Sequence, residues 1–132
     1  MGTGTAARGN LCRAGEEAAA RHLERAGLEI LARGARTAAG ELDLVAFTGS
    51  AIVFVEVKAR RVSVRGELTR GERDPLESIG PRKRLRVRRA AAAWLAENAL
   101  RPRAQRIRFD AIAVRVDGTG RVRALEHVRD AF

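Results

Sequence analysis

Alternating apolar and polar residues make the segment Glu41–Arg60 the clearest pattern in the chain. Two runs with a period of two, Glu41–Thr48 and Ala51–Lys58, predict two strands joined through Gly49-Ser50. Gly-Ser is an acceptable two-residue hairpin loop, because glycine readily takes the positive φ that a type II′ turn requires. The pattern therefore predicts a central β-hairpin.

This hairpin places ionisable side chains in an otherwise apolar element. If Thr48 faces Ala51, counting along both strands puts Asp43 directly opposite Glu56. Opposed side chains in a hairpin have Cβ atoms about 4.5–5.5 Å apart, so two like charges there repel. Lys58 shares a strand face with Glu56, and three ionisable groups therefore crowd one place. Alternation divides the apolar residues of the second strand between its faces, Ile52 and Phe54 with Glu56, and Val53, Val55 and Val57 opposite.

The flanking segments predict a mixed α/β fold with the order αβββαββ, in which about five strands form a central sheet flanked by helices. Asn10 can cap a first helix ending near Ala26, and Gly80-Pro81 begins a second helix running to about Ala99. Four residues, Leu85, Ala92, Leu95 and Ala99, should form the second helix's apolar face, with Trp94 as a core anchor. The remaining segments are a disordered lead-in (residues 1–9), a strand (Leu28–Arg33), a basic flexible connection (Arg33–Gly40), a mobile loop (about residues 60–75) and two last strands (Ile107–Val116 and Arg121–Val128).

Length, charge and cysteine content narrow the class of protein. At 132 residues the chain is expected to form one domain, spanning residues 10–132. A formal net charge of +10 predicts a polyanionic partner, although an arginine-rich solvated surface remains an alternative. No apolar run approaches the roughly 20 residues of a membrane-spanning helix, and we expect a cytoplasmic protein. Cys12 and His22 lack metal-ligand spacing, so zinc is not expected.

The opposed carboxylates suggest a divalent-cation site. Asp43, Glu56 and the Val57 carbonyl would offer the hard oxygen ligands that Mg²⁺ or Mn²⁺ prefers, and Lys58 could orient a water or stabilise charge on a phosphate. The alternative is a simple Glu–Lys pair on a wet strand face. Only two of the 26 Lys and Arg residues are lysines, Lys58 and Lys83, so lysine at position 58 suggests a role that a guanidinium fills poorly.

Basic residues are concentrated near the start of the second helix. Arg82, Lys83 and Arg86 lie where the positive end of the helix dipole makes cations unfavourable, which favours phosphate binding over a solvated face. Arg36, in the connection before the hairpin, and Arg60, just after it, are further candidates for nucleic-acid binding.

The motifs resemble a known family. Asp43 followed by Glu56-Val57-Lys58 resembles the D…ExK signature of restriction-endonuclease-like (PD-(D/E)xK) nucleases. The fuller pattern includes Gly15-Glu16, Gly40-Glu41-Leu42-Asp43, Phe54–Arg60, Lys83, Arg108-Phe109-Asp110 and Ala131-Phe132. It resembles the YraN family of small bacterial proteins, similar in fold to archaeal Holliday-junction resolvases. The resemblance implies a restriction-endonuclease-like core, Asp43 and Glu56 as metal ligands, Lys58 as the catalytic lysine and Glu16 as a fourth acidic group.

Three functions follow from these patterns. The first is a Mg²⁺- or Mn²⁺-dependent endonuclease that hydrolyses phosphodiester bonds in structured or branched DNA, and it could act as a homodimer. The second is a non-catalytic nucleic-acid-binding protein with a vestigial site, and the third is a structural or protein-interaction domain. Asp110 is interpreted as a structural partner of Arg108, since no lysine follows it at ExK spacing, and His127 as structural.

Overall fold

The computed structural model describes residues 3–65 and 79–132. Within them two helices and five strands occur in the predicted order αβββαββ. Their bounds are α1 Thr3–Arg25, β1 Glu29–Thr37, β2 Gly40–Phe47, β3 Ala51–Arg61, α2 Pro81–Glu97, β4 Arg106–Val116 and β5 Val122–Val128. The mixed α/β fold class is thereby confirmed.

The five strands form one mixed sheet whose spatial order, β1-β2-β3-β4-β5, follows the chain. Neighbouring strands are antiparallel except for β3 and β4, which are parallel. Parallel neighbours need a crossover connection, and the segment between these two strands contains α2. The crossover places α2 on one face of the sheet, and α1 packs on the other.

Strand alternation divides the core into two apolar clusters, as the hairpin pattern predicts. On one face, Val53 and Val55 of β3 pack with Leu23 of α1. On the other, Ile52 and Phe54 of the same strand pack against α2. The α2 cluster also contains Trp94, which is 5% exposed and confirmed as a core anchor. The two faces of β3 are thus buried by different helices, and β3 is central to the fold.

The first helix begins earlier than the sequence predicts. Helix α1 begins at Thr3, so residues 3–9, expected to form a disordered lead-in, are helical, and Asn10 is not the N-cap. Asn10 Oδ1 instead accepts a hydrogen bond from Arg13 at 2.7 Å. Ala6, Ala7 and Arg8 favour the helix here, whereas Gly4 and Gly9 oppose it.

The segment predicted as a flexible basic connection is mostly strand. β1 continues to Thr37, and Arg36 pairs with Glu41 of β2 across a short turn. The Thr37 hydroxyl closes that turn, donating to the Gly40 carbonyl at 2.6 Å and accepting from the Ala39 N–H at 3.1 Å. Glycine and alanine, at positions 34 and 35, have low strand propensity, but pairing with β2 stabilises the extended backbone.

Helix α2 begins as predicted but buries a different face. Gly80 is its N-cap and Pro81 occupies the first turn. The buried residues are Val87, Ala90, Ala91 and Trp94. They follow the i, i+3, i+4, i+7 spacing of an amphipathic helix, whereas Leu85 is 49% exposed and Ala92 and Ala99 are exposed too. The predicted apolar face of α2 was therefore wrong in three of its four residues, and only Leu95 packs against the core.

The predicted mobile loop at about residues 60–75 lies partly outside the described residues, from 66 onward. Its first residues belong to ordered structure, because β3 extends to Arg61 and the Val62 N–H donates to the Val116 carbonyl at 2.9 Å. Neither of the two helices in residues 3–65 and 79–132 is long and apolar enough to cross a membrane.

Candidate metal and nucleic-acid site

The β2–β3 hairpin has the predicted register. The Thr48 N–H donates to the Ala51 carbonyl at 3.0 Å around the Gly49-Ser50 loop, and Gly49 has the expected positive φ of 100°. The last regular pair is Leu44 with Val55. One step further along both strands, the same register brings the carboxylates of Asp43 and Glu56 together, as the sequence predicts.

The two strands separate immediately after this pair. The Val57 N–H, which would otherwise bond to the β2 backbone, donates to Asp43 Oδ2 at 2.8 Å. The N–H and C=O of one strand residue point to the same side, so the Val57 carbonyl also faces β2 where the ladder has ended. A carboxylate and a backbone oxygen are therefore positioned at the fork between β2 and β3.

Glu56 is buried beside two lysines. Its carboxylate is on the α2 face of the sheet, and the residue is only 6% exposed. Lys83 Nζ, from the first turn of α2, lies 2.7 Å from Glu56 Oε1, and Lys58 Nζ lies 3.6 Å from the same oxygen. A buried carboxylate is costly unless it is paired, and here both lysines of the chain supply the positive charge.

The proximity of these groups perturbs their protonation. Burial, and then the negative charge of Glu56, raises the pKa of Asp43 to about 7, although the Val57 N–H bond opposes the shift. Burial, and then the neighbouring Lys83, lowers the pKa of Lys58. Burial alone would lower the pKa of Lys83, but its bond to Glu56, its contact with Lys58 and the charges of Glu56 and Asp43 together raise it. Two carboxylates whose negative charges repel one another, and a lysine with a lowered pKa, are typical of functional sites.

Glu16 approaches the same place from α1. It lines a cavity of about 420 Å³ together with Asp43, Glu56 and Lys83. Burial, and then the charges of Glu41 and Glu56, raises the pKa of Glu16. The preceding glycine makes this approach possible, because a Cβ on Gly15 would lie 2.7 Å from the Ala59 methyl carbon on β3.

The donor set fits a small hard cation with a limited number of protein ligands. Across the described residues, no three His, Cys, Asp or Glu side chains are grouped to hold a metal ion. Glu16 lines the cavity beside the two carboxylates. Two carboxylates and one carbonyl suit Mg²⁺, which keeps several waters and is commonly bound through one or two carboxylates plus phosphate oxygens. The raised pKa of Asp43 marks a place where added positive charge would be favourable.

The predicted nucleic-acid-binding residues divide into two groups. Lys83 and Arg86 line the cavity, while Arg82 lies exposed on the same helical turn. Arg60 lies two residues beyond Lys58 and donates to the Ala59 carbonyl at 3.0 Å, and Arg36 lies on β1 opposite Glu41. These last two are near the fork but do not line the cavity.

Sequence reasoning missed two features of the site. Glu41, quoted only as part of a motif, lines the cavity and contributes to the raised pKa of Glu16. Lys83, predicted as a phosphate-binding residue, contacts Glu56 directly. A signal for the second was available, because the rarity of lysine that singled out Lys58 applies equally to Lys83.

A separate polar network lies on the α1 face of the sheet. Asp110 is fully buried, accepts two bonds from Arg108 at 2.9 and 3.0 Å, and contacts His127 Nε2 at 2.7 Å. His127 Nδ1 in turn lies 3.1 Å from His22 Nε2 of α1. The predicted pairing of Asp110 with Arg108 is confirmed, and the network joins α1, β4 and β5.

Comparison with known proteins identifies the family. The profile of the uncharacterised protein family UPF0102 matches residues 15–114, which contain every residue of the cavity except Cys12. The chain belongs to this family. UPF0102 is the YraN family indicated by the motifs.

Curated UPF0102 relatives cover nearly the whole chain. A UPF0102 protein of Frankia casuarinae is 46% identical over 92% of this chain and 95% of its own. Those of Pelotomaculum thermopropionicum (46% identical, 96% and 98% covered) and Acidothermus cellulolyticus (43% identical, 98% of both) are similar. These similarities along nearly the full length of the chain establish its membership of the family.

Proposed function

We propose that this UPF0102 protein is a divalent-metal-dependent endonuclease that hydrolyses phosphodiester bonds in structured or branched DNA. The observation that carries the proposal is the convergence of Asp43, Glu56 and Lys58 at the fork where β2 and β3 separate. Opposed carboxylates with a lysine two residues after the second form the D…ExK arrangement of restriction-endonuclease-like nucleases.

The chain's own residues have distinct roles in this proposal. Asp43, Glu56 and the Val57 carbonyl would hold Mg²⁺ or Mn²⁺, and the cation would supply Lewis-acid polarisation of the scissile phosphate and lower the pKa of an attacking water. Lys58, whose lowered pKa lets it exchange a proton nearer neutrality, would position that water. Glu16 would adjust the negative potential of the cavity without contacting the cation.

DNA binding is supported by charge. The net charge of +10 and the cations on the first turns of α2 provide a phosphate-binding surface that borders the carboxylates. The fork is accessible from the cavity that Lys83 and Arg86 line, so a backbone held by them would lie beside Asp43. Action as a homodimer on a two-fold symmetric junction is part of the proposal.

Cleavage assays on defined substrates test the activity. Purified protein would be incubated with a four-way junction, linear duplex, single-stranded DNA and RNA, with Mg²⁺, Mn²⁺ or EDTA. We expect metal-dependent cleavage, strongest on the junction, that is lost in Glu56→Gln and Lys58→Met. Glu17→Gln is the matched control, because Glu17 is a neighbouring carboxylate on α1 that pairs with Arg21 and Arg33 away from the cavity. Cleavage that survives in Glu56→Gln would indicate a contaminating nuclease and contradict the proposal.

The second candidate, a non-catalytic nucleic-acid-binding protein, is favoured by one observation. The Lys83 ammonium at 2.7 Å already neutralises Glu56, so the site is stable as an ion pair without a metal. This function predicts DNA binding that weakens steeply with salt, is unchanged by Asp43→Ala and is indifferent to divalent cations. Binding with these properties and no cleavage of any substrate would replace the first proposal with the second.

A further inference from the structure

We propose that Lys83 is a displaceable counter-ion of Glu56, which leaves this carboxylate when a divalent cation binds and then contacts a DNA phosphate. This inference rests on the proposed function and names how its metal and DNA sites are coupled. It assigns Lys83 two successive partners, whereas the sequence predicts only the phosphate.

The geometry makes Lys83 a competitor for the metal position. Its Nζ is 2.7 Å from Glu56 Oε1, the length of a charge-assisted hydrogen bond. A Mg²⁺ ligand oxygen lies about 2.0–2.1 Å from the ion, so a cation on the same oxygen would repel the adjacent ammonium at close range. A cation bound at Glu56 Oε1 would therefore weaken the ion pair with Lys83.

The side chain has both the freedom and the route to move. The Lys83 side chain is 29% exposed, compared with 8% for Glu56, so one end of the ion pair is fixed and the other borders solvent. Lysine carries its charge on a flexible four-carbon stem with rotatable donors. Lys83 lines the same cavity as Arg86, so a displaced ammonium enters a space already bordered by a second cation.

Residue choice supports an exchange rather than a permanent pair. Arginine forms a bidentate fork with carboxylates and is the better residue for a fixed buried ion pair. This chain uses arginine at all but two of its 26 cationic positions, yet both cations that contact Glu56 are lysines. A compact monodentate ammonium is the cation that a metal ion can displace most easily.

The consequence is that metal and DNA binding favour one another. Without metal, Lys83 is held by Glu56 and is a poor phosphate ligand. With metal, the displaced ammonium adds a charge for DNA, and by linkage DNA that captures this ammonium strengthens metal binding. The exchange also keeps the buried carboxylate neutralised at every stage.

Calorimetric titration with Mn²⁺ tests the displacement. Lys83→Gln removes the competing ammonium and should bind Mn²⁺ about tenfold more tightly than the wild type, because the cation no longer breaks a charge-assisted bond. Arg82→Gln is the matched control, since it removes an equal charge one residue away on the exposed side of the same turn. It should change the affinity by less than about twofold, because exposed charges are screened. Lys83→Arg should not bind more tightly than the wild type.

The two lysines also provide a direct probe in the unmodified protein. Selective ¹³C labelling of lysine gives side-chain NMR signals from Lys58 and Lys83 alone, which Lys83→Gln assigns. On addition of Mg²⁺ the Lys83 ε-CH₂ signal should shift and sharpen as the ammonium is released. The metal titration itself is made on the wild-type protein, and the variant is needed only to assign the two signals.

The outcomes separate the inference from the proposed function. If Lys83→Gln binds Mn²⁺ no more tightly than the wild type, and Mg²⁺ leaves the Lys83 signal unchanged, the inference is overturned while the metal site stands. If neither the wild type nor Lys83→Gln binds a divalent cation, the metal-dependent nuclease and the inference fail together.

Discussion

Replacing Asp43 with asparagine should stabilise the metal-free protein at alkaline pH, because the wild-type residue is charged at a position that disfavours charge. The pKa of Asp43 is raised from 3.8 to about 7 by burial and by the charge of Glu56. At 1.36 kcal/mol for each pH unit, this difference corresponds to a cost of roughly 4 kcal/mol for ionised Asp43 in the folded state. The asparagine of the Asp43→Asn variant keeps an oxygen that accepts the Val57 N–H bond but carries no charge.

The sign of the pH dependence follows from the direction of the shift. Between about pH 4 and pH 7 the folded protein keeps a proton that the unfolded chain releases, so the contribution of Asp43 to stability falls as the pH rises. The full free-energy cost of ionised Asp43 applies above about pH 7, and no such cost applies below the unfolded pKa of 3.8, where the residue is protonated in both states. The difference in stability between Asp43→Asn and the wild type should therefore grow across this range and level off above it.

Urea denaturation at pH 5, 6, 7 and 8 in the presence of EDTA measures this difference. At pH 8 we expect the free energy of unfolding of Asp43→Asn to exceed that of the wild type by a large part of the roughly 4 kcal/mol limit. Saturating Mg²⁺ should reduce this difference, because it stabilises only the wild type. A difference below about 1 kcal/mol at pH 8, or one that does not vary with pH, would refute the argument that burial and the charge of Glu56 disfavour ionised Asp43.

Two further predictions concern the packing and protonation of α1. Gly15→Ala should destabilise the protein by about 1–3 kcal/mol and displace the neighbouring Glu16 side chain, because the added Cβ would lie 2.7 Å from Ala59 Cβ. Gly9→Ala is the control, since the added Cβ would meet only the flexible Arg13 side chain at 3.8 Å, and this variant should stabilise α1 by up to about 1 kcal/mol. Equal changes in thermal stability for the two variants would contradict the close packing of Gly15 against Ala59. The pKa of His22 is lowered by burial and by His127, so the unfolded chain binds protons more readily and stability should fall as the pH drops below about 6.5. His22→Gln, which can still donate to His127, should lose less stability than the wild type between pH 7.5 and 5.5 in thermal denaturation. Identical losses in the two proteins would show that His22 does not contribute to the pH dependence of stability.

Features set by short-range pattern were predictable from the sequence. The β2–β3 hairpin depends on a two-residue loop and strict alternation, and both act within about 20 consecutive residues, so the register and the Asp43–Glu56 opposition followed directly. The start of α2 was equally local, because Gly80-Pro81 is itself a helix-initiation signal.

Errors occurred where local preference and tertiary pairing disagree. The segment from Arg33 to Thr37 contains Gly34 and Ala35, which have weak strand preference, and it is extended because β2 supplies its hydrogen bonds. On α2, both Leu85 and Val87 are apolar, and only the position of the sheet determines which of them is buried.

The sequence by itself determined the family, the order of the elements, the opposed carboxylates and the strongly basic character, because each depends on residue identity or on neighbours along the chain. Only the tertiary structure decided that Lys83 reaches Glu56, that Gly15 meets Ala59, and that His22 contacts His127. These pairs lie on separate elements whose approach is set by packing on the two faces of the sheet. Spacing along the chain carries no direct record of such contacts, because a crossover of almost any length can bring the same two elements together.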